Sequence, residues 1–89
     1  MNTEYLLSFI KDIKALKSTP VFESIQALVF EEIPNIPNFE DLANLKKLKG
    51  YENAYRIRLG DYRIGVVFDG ETVTFYRVIH RKEFYRYFP

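Results

Sequence analysis

The stretch Tyr55-Arg56-Ile57-Arg58-Leu59-Gly60-Asp61-Tyr62-Arg63-Ile64 decides the fold class. Tyr55, Ile57 and Leu59 alternate with Arg56 and Arg58. After Gly60-Asp61, the residues Tyr62, Ile64, Val66 and Phe68 alternate with Arg63, Gly65 and Val67. Successive side chains of a strand point to opposite faces. The stretch therefore reads as a hairpin with one apolar face and one face carrying Arg56, Arg58 and Arg63. Guanidiniums match phosphate oxygens and stay charged at any working pH, so this face points to an anionic ligand. The competing reading is a solvated strand face whose arginines pair with Asp61, Asp69 or Glu71.

Period two continues beyond the hairpin. Strands are expected near 54–60, 62–69 and 72–80, with Asp69-Gly70 as the turn between the last two. Upstream the period changes. Glu4 to Ser8 reads as a short first strand, and Lys11 to Lys17 as a helix with Phe9, Ile10, Ile13 and Leu16 at helical spacing. Ser18-Thr19-Pro20 ends it and opens a second helix, with Thr19 as cap and Pro20 at the first helical position. Val21, Ile25, Leu28 and Val29 form the apolar stripe of that helix. Pro34 to Asn38 reads as a loop. Residues 39–48 fit either a short helix or a linker, and Lys49-Gly50 turns the chain into the sheet. The tail from His80 to Pro89 is basic and aromatic, and reads as a short helix or an extended segment. Helices followed by consecutive hairpins define an α+β class. Two helices are expected on one face of a three- to four-stranded antiparallel sheet, with Arg56, Arg58, Arg63 and Arg77 on the other.

At 89 residues the chain reads as one domain, residues 1–89. It has no cysteine, which removes disulfides, thiol nucleophiles and thiolate metal sites and fits a cytoplasmic protein. The single His80 makes no metal site alone, and no metal or cofactor is expected. The segment from Met1 to Lys14 does not read as a secretion signal, and no run approaches the ~18 apolar residues of a membrane span. The net charge of +1 hides an asymmetry: residues 1–45 sum to −4 and residues 46–89 to +5. A basic half fits polyanion binding, and equally a pairing of the two halves within the fold.

His80 is the one side chain titrating near neutrality, and beside Arg81 it is a candidate acid or base. A histidine at a strand end is also a common structural residue. Tyr85 and Tyr87 follow among basic residues, where exposed rings stack on unpaired bases. Phe84 and Phe88 read as cover for the sheet. No glycine-rich phosphate loop, nucleophile elbow or carboxylate pair appears.

The order of these elements resembles a known superfamily. An amphipathic helical pair precedes Leu48-Lys49-Gly50, then the Tyr55–Ile64 hairpin, then a strand closing on His80-Arg81-Lys82-Glu83-Phe84-Tyr85. This is similar to the RelE/ParE toxins of bacterial type II toxin–antitoxin systems across nearly the whole chain. The RelE branch cleaves mRNA in the ribosomal A site through attack of the 2′-hydroxyl on the adjacent phosphodiester. The resemblance implies that Arg56 and Arg58 stand where RelE-type toxins carry two basic residues, and that Arg63 is the phosphate-stabilising arginine. It also implies that Arg81 is the basic residue after the last strand, and that Tyr85 is the stacking tyrosine. The expected catalytic set is thus Arg58, Arg63, His80, Arg81 and Tyr85, with Arg56, Arg77, Lys82 and Arg86 binding RNA. Two departures stand out. RelE has lysines where this chain has arginines, which are poor bases, and the interval from Arg81 to Tyr85 is shorter. Both shift proton transfer toward His80 or Tyr85. The ParE branch has the same fold but inhibits DNA gyrase without cleaving RNA. The combined set favours the nuclease branch, with gyrase inhibition, or an inactive antitoxin-binding relative, as the alternative. In either branch the implied partner is a small antitoxin with an acidic segment that folds on binding.

Overall fold

In the computed structural model, which describes residues 1–89, the period-two region forms three adjacent antiparallel strands. These are β3 (Ala54–Leu59), β4 (Tyr62–Phe68) and β5 (Thr72–His80). Leu59 faces Tyr62, so Gly60-Asp61 is a two-residue turn, and Gly60 takes a positive φ of 60° that suits glycine. At the second turn one Asp69 carboxylate oxygen accepts the N–H groups of Glu71 and Thr72, at 2.9 and 2.8 Å. These two hydrogen bonds to the charged form hold the Asp69 carboxyl below its ordinary value.

The sheet is larger than the sequence pattern implies, and it is mixed. Two short edge strands complete it in the order β1-β5-β4-β3-β2. Strand β1 (Asn2–Tyr5) runs parallel to β5, with Asn2 opposite Thr72 and Tyr5 opposite Phe75. Strand β2 (Leu45–Lys47) pairs antiparallel with β3 and occupies the region read as helix or linker. The first strand starts two residues before the expected Glu4 and ends at Tyr5, because Leu7 and Ser8 already belong to the first helix; β2, at three residues, is too short to display a period.

Helix α1 (Leu7–Ala15) begins earlier than expected. A second helical segment runs over 22–35. It is α2 at Phe22–Gln26, π-helical at Ala27–Glu32 and α3 at Ile33–Asn35. Helical backbone therefore extends through Pro34, in the last turn of this segment, and the loop expected from Pro34 begins only after Asn35. Thr19 does not cap the second helix. Its hydroxyl donates to the Leu16 carbonyl at 2.7 Å and closes α1 instead.

One face of the sheet meets the helices as expected. Ile57, Ile64, Val66, Phe75 and Val78 are buried against Phe9 and Ile13 of α1 and Ile25, Val29 and Ile33 of the second segment. Tyr55, Leu59 and Tyr62 pack at the margin of this core.

The opposite face is divided, not open throughout. Directly opposed residues of antiparallel strands lie on the same face, which gives successive rows. One row carries Arg58 and Arg63, with Ile79 beside them; the next carries Lys46, Arg56, Gly65 and Arg77. Beyond these rows Leu48, Ala54 and Val67 form an apolar end. Helix α4 (Phe84–Tyr87) covers that end through Phe84, with Phe88 just beyond it. Phe88 lies on Gly65: a β-carbon there would meet ring atoms at 2.6–2.9 Å. Gly65→Ala is therefore expected to destabilise the protein by about 1–3 kcal/mol through overpacking. Urea unfolding of Gly65→Ala with and without Phe88→Ala measures this, because the coupling should be lost when the ring is removed.

Candidate functional site

The uncovered end of the divided face holds a shallow pocket of about 420 Å³ at the hairpin turn. Arg58, Arg63 and Arg81 line it together with Asn44 and Asp61. Each arginine has a separate anchor. One Nη of Arg63 donates to the carbonyls of Gly60 and Tyr62, at 2.9 and 3.0 Å, so the turn itself holds this guanidinium. The backbone N–H of Arg81 donates to the Asp61 carbonyl at 2.8 Å, and its Nε lies 3.6 Å from the Asp61 carboxylate. Arg58 and Arg56 both turn toward Asn44: Arg58 Nη2 donates to the Asn44 side-chain oxygen at 3.3 Å, and Arg56 Nη1 to its carbonyl at 3.2 Å.

The electrostatics describe one cluster. The pKa of Arg63 is pulled below its ordinary value, first by burial and then by the positive charges of Arg56, Arg58 and Arg81; Tyr85 opposes the shift. Arg63 thus sits within the field of all four partners that the sequence associates with it. Four like charges around one point repel, and a bound anion relieves that repulsion. A guanidinium remains protonated in any protein setting, so this cluster binds and stabilises negative charge; it does not take up protons.

Tyr85 lies beside this cluster. The residue is 62 % exposed, and its ring meets Phe84 edge-on with centroids 5.0 Å apart. An exposed aromatic face next to a cationic pocket is suited to stacking on a base. Lys82 and Arg86 are exposed on the turn and on α4.

Two expected site residues lie elsewhere. His80 is opposite Tyr62 in the ladder and meets its ring edge-to-face at 5.5 Å, which puts it on the helix side of the sheet, away from the arginines. Its Nδ1 accepts the Lys82 N–H at 3.1 Å. In neutral His80 the proton is then on Nε2 and the lone pair of Nδ1 is already engaged. Arg77 does not extend the open basic face. Its Nε and Nη2 donate to the Asp12 carboxylate on α1 at 2.7 and 3.0 Å, and its guanidinium stands 5.2 Å from the centre of the Tyr87 ring. The pair raises the pKa of Arg77, chiefly through the side-chain hydrogen bonds to Asp12.

The sequence reading missed two residues of the face. Lys46 is directly opposite Arg56 and adds a further cation. Asn44, with φ of 65°, is the one non-glycine residue in the left-handed region. An asparagine just before a short Leu-Lys-Lys run is the only signal that could have marked it, since asparagine tolerates that conformation. No three His, Asp or Glu side chains converge to hold a metal ion, and no helix is long and apolar enough to cross a membrane.

The sequence and the small α+β fold match a known class. The model of the ParE toxins of type II toxin–antitoxin systems matches residues 4–85. The chain belongs to this family, within the RelE/ParE superfamily of toxins. Two of the proteins it is similar to carry the RelE name. It is 43 % identical over 90 residues to Toxin RelE3 of Methanocaldococcus jannaschii, with each chain covered in full. The toxin of the RelB–RelE antitoxin–toxin complex from Methanococcus jannaschii superposes with a TM-score of 0.77 at 40 % identity, over 97 % of this chain and 99 % of the other. YafQ of Escherichia coli has the same fold, with a TM-score of 0.74 at 16 % identity over 94 % and 97 % of the two chains.

Proposed function

We propose that this toxin is an mRNA endonuclease that acts on ribosome-held message. The observation that carries the reading is the convergence of Arg58, Arg63 and Arg81 on one pocket with Tyr85 beside it. Phosphodiester cleavage by a neighbouring 2′-hydroxyl develops negative charge on the phosphate, and fixed cationic donors are suited to stabilise it. Arg58 and Arg63 hold the scissile phosphate, Arg81 stabilises the charge that develops, and Tyr85 stacks a base to align the attack. With His80 on the other face of the sheet, proton transfer does not run through its imidazole. Asp61 is the one carboxylate that lines the pocket.

The match to the ParE family model favours a second reading, inhibition of DNA gyrase. Primer extension on cellular mRNA after brief induction separates the two. Codon-phased cuts within minutes are expected, with plasmid supercoiling unchanged. Intact mRNA with altered supercoiling would transfer the assignment to gyrase.

We further propose an antitoxin partner, in keeping with the relative whose structure is a RelB–RelE complex. A groove of about 580 Å³ adjoins the pocket, between Leu28, Glu31 and Glu32 on the helical side and Arg58 and Leu59 on β3, with Asn44 shared by both. An acidic antitoxin segment over the pocket would neutralise Arg58, Arg63 and Arg81 and close it, while apolar antitoxin side chains would suit Leu28 and Leu59 of the groove.

A further inference from the structure

We infer that Asn44 is a positioning residue: it aims the Arg58 guanidinium, with Arg56 behind it, so that the pocket is preformed for an RNA phosphate. The inference rests on the reading of the arginine pocket as a phosphate site. Asn44 faces Arg58 across the end of the β2–β3 ladder, one rung beyond the Leu45–Ile57 pair. Its carbonyl accepts the Arg58 N–H at 3.1 Å and Arg56 Nη1 at 3.2 Å. Its side-chain oxygen accepts Arg58 Nη2 at 3.3 Å. One residue thus fixes both the backbone and the guanidinium of Arg58.

The residue type suits this task. A φ of 65° favours glycine, asparagine and aspartate. Glycine would hold the backbone and its carbonyl but supply no side-chain acceptor. Aspartate would supply the acceptor, but its charge would compete with a phosphate for the same arginine. Asparagine alone of the three aims a cation without neutralising it. Arg56 shows why aiming matters. Its Nε is buried with no partner, and Asn44 holds the far end of its guanidinium. An arginine on an exposed sheet loses rotamer freedom when it engages a phosphate, and an arginine held beforehand loses less.

The test uses the full chain in three forms: wild type, Asn44→Gly and Asn44→Asp. Two readings are taken: restricted rotation of the Arg58 guanidinium by NMR, and binding of a short RNA made uncleavable by 2′-deoxy substitution. For Asn44→Gly the Arg58 guanidinium should rotate freely and RNA affinity should fall about 3- to 10-fold, the share of one hydrogen bond. Its melting temperature should stay near that of wild type. Asn44→Asp should restore restricted rotation while RNA affinity stays low. Unchanged rotation and affinity in Asn44→Gly would overturn the inference. So would a large fall in melting temperature in both variants, which would assign Asn44 to the backbone alone. The affinity reading is taken on ribosome-held message as well as on the free RNA; if wild type binds neither, the phosphate reading fails, and the rotation measurement still decides whether Asn44 holds Arg58.

Discussion

Arg63→Ala is expected to lower RNA cleavage at least about 100-fold and to relieve growth arrest, with the fold intact. The size follows from its place. Arg63 stands at the centre of the cationic cluster, on the rigid second strand of the hairpin; the phosphate it holds is where negative charge develops, and removing one fixed donor to such a group typically costs about 10²–10³ in rate. The fold should survive because the guanidinium bonds only to carbonyls of its own turn, Gly60 and Tyr62. Arg63→Lys keeps a charge but loses the fork that grips two oxygens at once, so it should recover only part of the activity. Arg81→Ala should behave like Arg63→Ala, because its side chain is more than half exposed and its only ion pair is the long one to Asp61. His80→Ala should leave cleavage largely intact. Full toxicity in Arg63→Ala, measured as growth after induction with the circular dichroism spectrum unchanged, would remove the pocket from the mechanism.

The largest stability effect is expected at Asp12. Its carboxylate accepts three N–H groups: Nε and Nη2 of Arg77 and the backbone N–H of Val78 at 3.1 Å. Beyond Phe75 no β1 residue pairs with β5, and Asp12 of α1 takes the place of the missing strand as acceptor. Asp12 and Arg77 side chains are 14 % and 26 % exposed, so water replaces the lost partner poorly. Asp12→Ala leaves a largely buried guanidinium and a backbone N–H without an acceptor, a loss of about 2–4 kcal/mol. Asp12→Asn keeps an acceptor oxygen but loses the ion pair, and should fall between. Chemical denaturation of the three proteins measures the series. A change below about 0.5 kcal/mol in Asp12→Ala would show that the triple contact contributes little.

The three central strands and the helix-facing core were legible because alternation and turn residues agree there. Ile57, Ile64 and Val66 mark the buried face, and Gly60-Asp61 and Asp69-Gly70 mark the turns. The grouping of Arg56, Arg58 and Arg63 follows from the same alternation. Three features were not legible, each because it depends on partners distant in sequence. The parallel neighbour of β5 is β1, and the local pattern that marks a first strand near Glu4 carries neither its bounds nor its parallel pairing. Arg77 sits in a basic, alternating stretch, but its partner Asp12 is 65 positions away. His80 was read from its chemistry and from its neighbour Arg81, while its face is fixed by the ladder pairing with Tyr62. Asn44 was missed because a positive φ belongs to the backbone and leaves only a weak preference in residue type.

The parallel pairing of β1 with β5 also sets the order in which the toxin can be completed. Chains are synthesised from the N-terminus, and contacts between distant residues close slowly. Strand β1 has no sheet neighbour until residues 72–75 are available. A nascent chain that has emerged only through residue 53 has α1, the second helical segment and β2, but none of the three central strands on which they pack. Arg81 and Tyr85 follow later still. The pocket is therefore among the last parts of the protein to form, and a chain still under synthesis carries its cationic cluster only in pieces.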